Sequence, residues 1–263
     1  MTEPRPLALV TGASSGIGFE LARQFAEHGF DLLVNAEDHT IDTAAARLRS
    51  SGTAVSAFQA DLRTTAGVDA LWDAVRATGR PLAAAALNAG VGKGGRFVEN
   101  ELEDELSIID LNVRCTVVLA KHVLREMAAR GEGRVLFTSS VASTMPGPYQ
   151  AVYNASKSFV QSFAEALAEE LRDTGVTVTS LMPGPTDTEF FERGDLMDTT
   201  IGQGPKDDPA QVAKQGFDAM MEGEDKVLGG SVTSKAQAAV NSVLPDKLKA
   251  KGHAKMAEPG SGE

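Results

Sequence analysis

A chain of 263 residues with 42% apolar and 23% charged side chains has the balance of a globular protein with a substantial core, which excludes wholesale disorder. Lys and Arg number 25 against 36 Asp and Glu, a formal net charge of −11. A surface that negative repels phosphate backbones and anionic lipid, so no nucleic acid and no membrane is expected among the partners. The single cysteine, Cys115, can form neither an internal disulfide nor a multi-cysteine metal site, and its count suits a reducing compartment. No apolar run approaches the roughly 18 residues of a membrane span. Met1–Pro6 lacks the apolar core of a signal peptide, so a cytoplasmic location is expected.

Short apolar runs alternate with longer segments of helical period. Leu7–Val10 reads as a strand, and Ile17–His28 as a helix whose buried face would use Phe19, Leu21, Ala22, Phe25 and Ala26. A strand at Leu32–Val34 precedes a helix at Ile41–Arg49, and a strand at Val55–Phe58 precedes a helix near Ala66–Ala77. Leu82–Leu87 is followed by a long helix over Asp104–Arg130, Val135–Thr138 by a helix over Val152–Asp173, and Val176–Leu181 closes the series. Continuous apolar strands between amphipathic helices argue for a parallel sheet covered on both faces. No repeat or linker marks a second domain. Residues 186–209 are acidic and carry Gly and Pro, yet keep Phe190, Phe191, Leu196 and Met197, the composition of a lid with an apolar inner side. From Lys247 to the end the chain reads as a polar, loosely held tail (247–263).

The first strand runs into Thr11-Gly12-Ala13-Ser14-Ser15-Gly16-Ile17-Gly18 and then a helix. Glycines here permit a tight turn and close approach of a pyrophosphate to helix N-terminal N–H groups. Glu37 stands near the offset expected of a ribose ligand. The same stretch, Gly12-Ala13-Ser14-Ser15-Gly16, also matches the G-x-S-x-G elbow of hydrolases. That rival needs a histidine base, and His28, His39, His122 and His253 all read as exposed or capping residues. Tyr153 and Lys157 lie four apart on one helix face, where an ammonium can stabilise a phenolate. Ser140 and the Asn88-Ala89-Gly90 segment end strands at the edge where α/β sheets hold ligands, and Pro183-Gly184 follows another. Cys115 and Trp72 read as packing. The Glu101, Glu103, Asp104, Glu105 cluster reads as a helix N-terminus, so no metal site is expected.

Thr11–Gly18, Asn88-Ala89-Gly90, Asn112, Ser140, Tyr153-Asn154-Ala155-Ser156-Lys157 and Pro183-Gly184 together resemble the short-chain dehydrogenase/reductase family, in the family's order and over at least Leu7 to Thr188. The resemblance implies a single doubly wound, Rossmann-type α/β domain over residues 1–246, with a parallel sheet of about seven strands. It implies an NAD(P)-dependent oxidoreductase that moves a hydride between the cofactor and a small-molecule carbonyl or secondary alcohol. Tyr153 would be the general acid/base, Ser140 would bind the same substrate oxygen, Lys157 would hold the nicotinamide ribose and lower the Tyr153 pKa, and Asn112 would hold a water linking Lys157 to solvent. Gly12, Ser14, Ser15, Gly16, Ile17 and Gly18 would cradle the dinucleotide, with Asp61 and Leu62 at the adenine. Asn88, Ala89 and Gly90 would line the adenosine side, and Pro183, Gly184, Thr186 and Thr188 the nicotinamide end. Leu87 departs from a second Asn found in many members. With no cation near Glu37 in sequence, NAD(H) is favoured, NADP(H) remaining open. Two long helices with broad apolar faces suggest a homodimer or homotetramer. A non-catalytic dinucleotide binder is the alternative, against which the intact Asn112, Ser140, Tyr153, Lys157 set argues. Phe97, Met145, Phe190, Phe191 and Met197 suggest an apolar or mixed substrate pocket.

Overall fold

The structure is a computed structural model that describes residues 5–235 and 244–262. Its strands are β1 (Leu7–Thr11), β2 (Asp31–Ala36), β3 (Val55–Gln59), β4 (Leu82–Leu87), β5 (Gly133–Thr138), β6 (Val176–Pro183) and β7 (Lys226–Gly229). All seven are parallel in one sheet of order β3-β2-β1-β4-β5-β6-β7. Successive side chains of a strand point to opposite faces, so Ala8 and Val10 of β1 enter one core layer and Leu7 and Leu9 the other. Both layers are covered by helices, which is why the central strands β1 and β4 are almost wholly apolar.

The helices in chain order are α1 (Gly16–Glu27), α2 (Thr40–Arg49), α3 (Thr65–Ala77), α4 (Leu102–Ile108), α5 (Thr116–Arg130) and α6 (Ala151–Glu170). The short α7 (Phe190–Arg193) and α8 (Thr200–Gln203) follow, then α9 (Pro209–Glu222) and α10 (Asp246–Ala257). One layer is closed by Phe19 and Phe25 of α1, Ile41 and Leu48 of α2, and Val212, Phe217 and Met220 of α9. The other takes Leu71 and Trp72 of α3, Leu119 and Met127 of α5, and Val160 and Ala164 of α6. The chain leaves β1 outward through β2 and β3, then returns to lay β4 on the other side of β1. That reversal opens a crevice at the carboxyl ends of β1 and β4.

Three expectations change. The helix expected over Asp104–Arg130 is broken: α4 and α5 are joined by a π-helical segment, Ile109–Cys115. Its wider turn presents the buried Asn112, whose side chain clamps Val91 through both backbone groups, Oδ1 accepting from N–H at 2.9 Å and Nδ2 donating to C=O at 2.9 Å. A one-residue widening leaves apolar periodicity nearly intact, so the sequence pattern does not show it. The tail expected to be loose instead forms α10 and buries His253 and Ala257. It is fastened by Lys249 Nζ to Thr144 O at 3.1 Å and, just beyond the helix, by Tyr149 O–H to Glu258 Oε1 at 2.9 Å. His253, read as exposed or capping, is 4% exposed. The packing readings hold elsewhere: Trp72 is buried and stacks on His122 with ring centroids 5.2 Å apart. Burial pushes the Cys115 thiol up to about 12, leaving an inert group.

Candidate active site

Three strand ends are laced together at the crevice. Thr11 Oγ1 accepts from the N–H groups of Asn88 (3.0 Å) and Ala89 (3.1 Å), and Thr138 Oγ1 donates to Asn88 Oδ1 at 2.9 Å. Against this frame the loop after β1 is pressed so closely that side chains do not fit. A Cβ on Gly12, whose φ is +64°, would stand 2.9 Å from Ala89 Cα, and one on Gly18 would overlap the Gly12 carbonyl. Ser15 stands at the α1 N-terminus in extended conformation and makes no side-chain cap. The first-turn N–H groups of α1 therefore face the crevice without a side-chain acceptor, which fits a dinucleotide pyrophosphate.

The second cluster is carried by β5 and α6. Lys157, 6% exposed, donates from Nζ to Thr138 O at 2.8 Å, and its Nζ lies 5.9 Å from the Tyr153 ring centroid. Ser156 Oγ accepts from Asn112 Nδ2 at 3.0 Å and donates to Tyr153 O at 2.7 Å, so the π-helical segment and α6 fix each other. With both amide protons and Oδ1 engaged by Val91 and Ser156, the Asn112 side chain positions the loop after β4. Burial pushes the Tyr153 phenol up to about 12, against a lowering hydrogen bond from Ser140. The expected lowering by Lys157 is absent in the chain alone, because Lys157 is itself desolvated and pushed down to about 8. Phe190 of α7 caps the tyrosine, ring centroids 5.0 Å apart, in space that any side chain on Gly92 would occupy.

The two clusters open onto one cavity of about 500 Å³. Gly12, Ser14, Ser15, Gly16, Ile17 and Gly18 line one end. Asn88, Ala89 and Gly90 line its middle, and Ser140, Tyr153 and Lys157 the far wall. Pro183, Gly184, Thr186 and Thr188 complete it from the end of β6. Asn112 lies behind this surface. Glu37, Asp61 and Leu62 do not line it: Leu62 is buried just past β3, and the partly exposed Asp61 binds Arg63 Nε through Oδ1 at 2.9 Å. Glu37, which has no cation near it in sequence, has two beside it in space. Its carboxylate meets Arg63 Nη2 at 2.6 Å and Arg193 Nη1 at 3.8 Å, two cations delivered by the β3–α3 loop and by α7. Sequence proximity could not reveal either.

Arg193, Gln150, His253 and Met256 also line the cavity and were not singled out as site residues from sequence. The signal for His253 and Met256 is the weak amphipathic pattern of α10, masked by its many lysines. Ser14, the rival nucleophile, makes no hydrogen bond with a histidine among the described residues. No group of three or more metal-ligating side chains occurs among the described residues, and no described helix is long and apolar enough to cross a membrane.

Comparison with known proteins agrees with this geometry. A family model described as short chain dehydrogenase matches residues 6–197. The oxidoreductase UcpA of Salmonella typhimurium is 33% identical over 206 residues, 78% of this chain and 76% of that protein. A short-chain dehydrogenase from Sphingobium yanoikuyae in complex with NADPH superposes with a TM-score of 0.80 at 30% identity, covering 91% of this chain and 96% of that one. A short-chain dehydrogenase/reductase from Burkholderia phymatum in complex with NAD gives 0.78 at 26% identity, covering 92% and 93%. The chain belongs to the short-chain dehydrogenase/reductase family and is an NAD(P)-dependent oxidoreductase.

Proposed function

We propose that this oxidoreductase interconverts a small-molecule carbonyl and the corresponding secondary alcohol, with Tyr153 as the general acid/base. The observation that carries the reading is one cavity shared by the glycine cradle and by Ser140, Tyr153 and Lys157. The bound dinucleotide supplies or accepts the hydride. Gly12 to Gly18 and the α1 N-terminus hold its pyrophosphate, and Pro183 to Thr188 stand at its nicotinamide end. Ser140 and Tyr153 bind the substrate oxygen; Tyr153 gives it a proton in reduction and takes one in oxidation. Lys157 holds the nicotinamide ribose and places a cation behind the phenolate that oxidation requires. Phe190 and the rest of 186–209 form the lid that excludes water. Glu37 accepts from the adenosine ribose hydroxyls, so NAD(H) is preferred. A panel of ketones and secondary alcohols, offered with NADH, NADPH and the oxidised forms and read by cofactor absorbance, tests the reading. Turnover of carbonyl or alcohol substrates supports it, and cofactor binding without any turnover across the panel contradicts it.

We also propose that the chain assembles as a homodimer or homotetramer. Leu102, Leu106 and Ile109 are exposed at 60%, 46% and 42%, and Phe159 of α6 at 40%. Large apolar side chains clustered on adjacent helices suit an isologous contact between copies. Light scattering at micromolar concentration should return two or four times the 27.6 kDa chain mass. A mass of one chain contradicts the assembly.

A further inference from the structure

The wall of the cavity beyond Tyr153 is built by two polar side chains that the reaction itself does not use. His253 and Gln150 are each 4% exposed and both line the cavity. His253 comes from α10, Gln150 from the residue preceding α6. His253 Nδ1 lies 3.0 Å from Pro148 O, and a carbonyl can only accept, so Nδ1 carries the proton. Desolvation lowers the His253 pKa, which keeps the ring neutral and makes Nε2 an acceptor. Nε2 has no hydrogen-bond partner among the described residues. Gln150 stands at the N-terminus of α6 but does not cap it, and its amide likewise finds no partner among the described residues. Both belong to one cavity, and Pro148, which holds His253, is two residues from Gln150. Gln150 in turn is the residue before α6 and three before Tyr153, and its C=O accepts from Asn154 N–H at 2.9 Å.

Two mostly buried residues at the cavity surface, one with an acceptor and one with an amide that have no partner among the described residues, match a group that both donates and accepts. Met145, Phe190, Ile201 and Met256 supply an otherwise apolar lining. We propose that Gln150 and His253 form a polar subsite selecting carbonyl or alcohol substrates that carry a second hydroxyl a few bonds from the reacting carbon. The hydroxyl donates to His253 Nε2 and accepts from Gln150 Nε2. The proposal rests on the reading that the reacting oxygen sits at Tyr153. Methyl ethers and unsubstituted analogues leave both protein groups unpaired and are disfavoured.

The test uses acetophenone, its 3′- and 4′-hydroxy derivatives and the matching methoxy compounds, with reduced dinucleotide. Turnover is read by cofactor absorbance and binding by the thermal shift of the dinucleotide complex. At least one hydroxy ketone should exceed both its methoxy counterpart and acetophenone by about tenfold in kcat/KM, and stabilise the complex more. In His253→Phe and Gln150→Leu the hydroxy-to-parent ratio should fall toward one, whatever the absolute rate. His253→Gln, which can still donate to Pro148 O and accept from the hydroxyl, should keep the preference. A wild-type protein that does not separate hydroxy from methoxy ketones in either readout overturns the subsite, even if the variants fail to fold. So does a ratio that survives in both variants. Tyr153→Phe separates the two readings: it should lower turnover of every ketone by a factor on the order of 10²–10⁴ while leaving the thermal-shift preference intact. Full turnover in Tyr153→Phe would overturn the assignment of the reacting end and leave the measured subsite standing.

Discussion

Replacing Tyr153 by Phe is expected to lower turnover by a factor on the order of 10²–10⁴, the usual contribution of a positioned proton donor. The substitution removes one oxygen and keeps the ring, so the contact with Phe190 at 5.0 Å between centroids is retained. Ser156 binds the Tyr153 backbone carbonyl, which the change does not touch. Dinucleotide affinity should therefore stay within about twofold, because uniform binding does not depend on a group that acts in the transition state. Lys157→Ala contrasts with it. It deletes a buried cation bonded to Thr138 O at the same strand end that binds Asn88, so both turnover and dinucleotide binding should fall. Steady-state kinetics beside a fluorescence titration with NADH separates the two patterns. A Tyr153→Phe protein with full activity would remove the tyrosine from the mechanism.

The second large effect is expected at the adenosine end. Glu37 is the anion that holds Arg63 at 2.6 Å and Arg193 at 3.8 Å. On the proposed reading, with Glu37 at the adenosine ribose, a 2′-phosphate would meet a carboxylate and a ribose hydroxyl an acceptor, which would favour NAD(H). In Glu37→Ala the acceptor is gone and two guanidinium groups lose a partner, Arg63 keeping Asp61 at 2.9 Å and Arg193 keeping Glu189 at 2.7 Å. The ratio of NADPH to NADH affinity should rise on the order of 10–100-fold, equivalent to about 1.4–2.8 kcal/mol for one or two charge-assisted hydrogen bonds. Titration with both reduced cofactors reads the ratio directly. An unchanged ratio would mean that Glu37 does not face the ribose.

What was legible in the sequence follows the range of the forces involved. Leu82–Leu87 could be read to the residue because a strand buried on both faces must be apolar at every position. Lys226–Gly229 was not located as the seventh strand, since four residues at the sheet edge with only Val227 and Leu228 apolar carry too little pattern. Gly12 and Gly18 announce a close approach that only glycine permits, so the cradle was visible in one dimension. Tyr153 and Lys157 share a helix and their juxtaposition follows from its pitch. Arg193 reaches Glu37 only because the segment after β6 folds back over the sheet edge. His253 reaches the cavity only because α10 docks on the loop at Pro148. Such tertiary pairings leave no periodic trace. The π-helical turn at Asn112 is invisible for another reason, since one extra residue in a turn shifts the apolar stripe by less than its own width.

The pH dependence of secondary-alcohol oxidation tests the role of Tyr153 most directly. Burial holds this phenol up at about 12 in the chain alone, so it is protonated at neutral pH. On the proposed reading, oxidation needs the phenolate as proton acceptor, so kcat/KM should rise with pH through one ionisation. Ketone reduction requires the phenol and should decline through that same ionisation. Lys157 does not lower the phenol in the chain alone; on the proposed reading it does so once dinucleotide is bound, so in Lys157→Met the oxidation limb of the complex should move to higher pH. In Tyr153→Phe the residual oxidation rate should show no such limb. A Tyr153→Phe protein that keeps both the wild-type rate and the wild-type rise with pH would contradict the assignment.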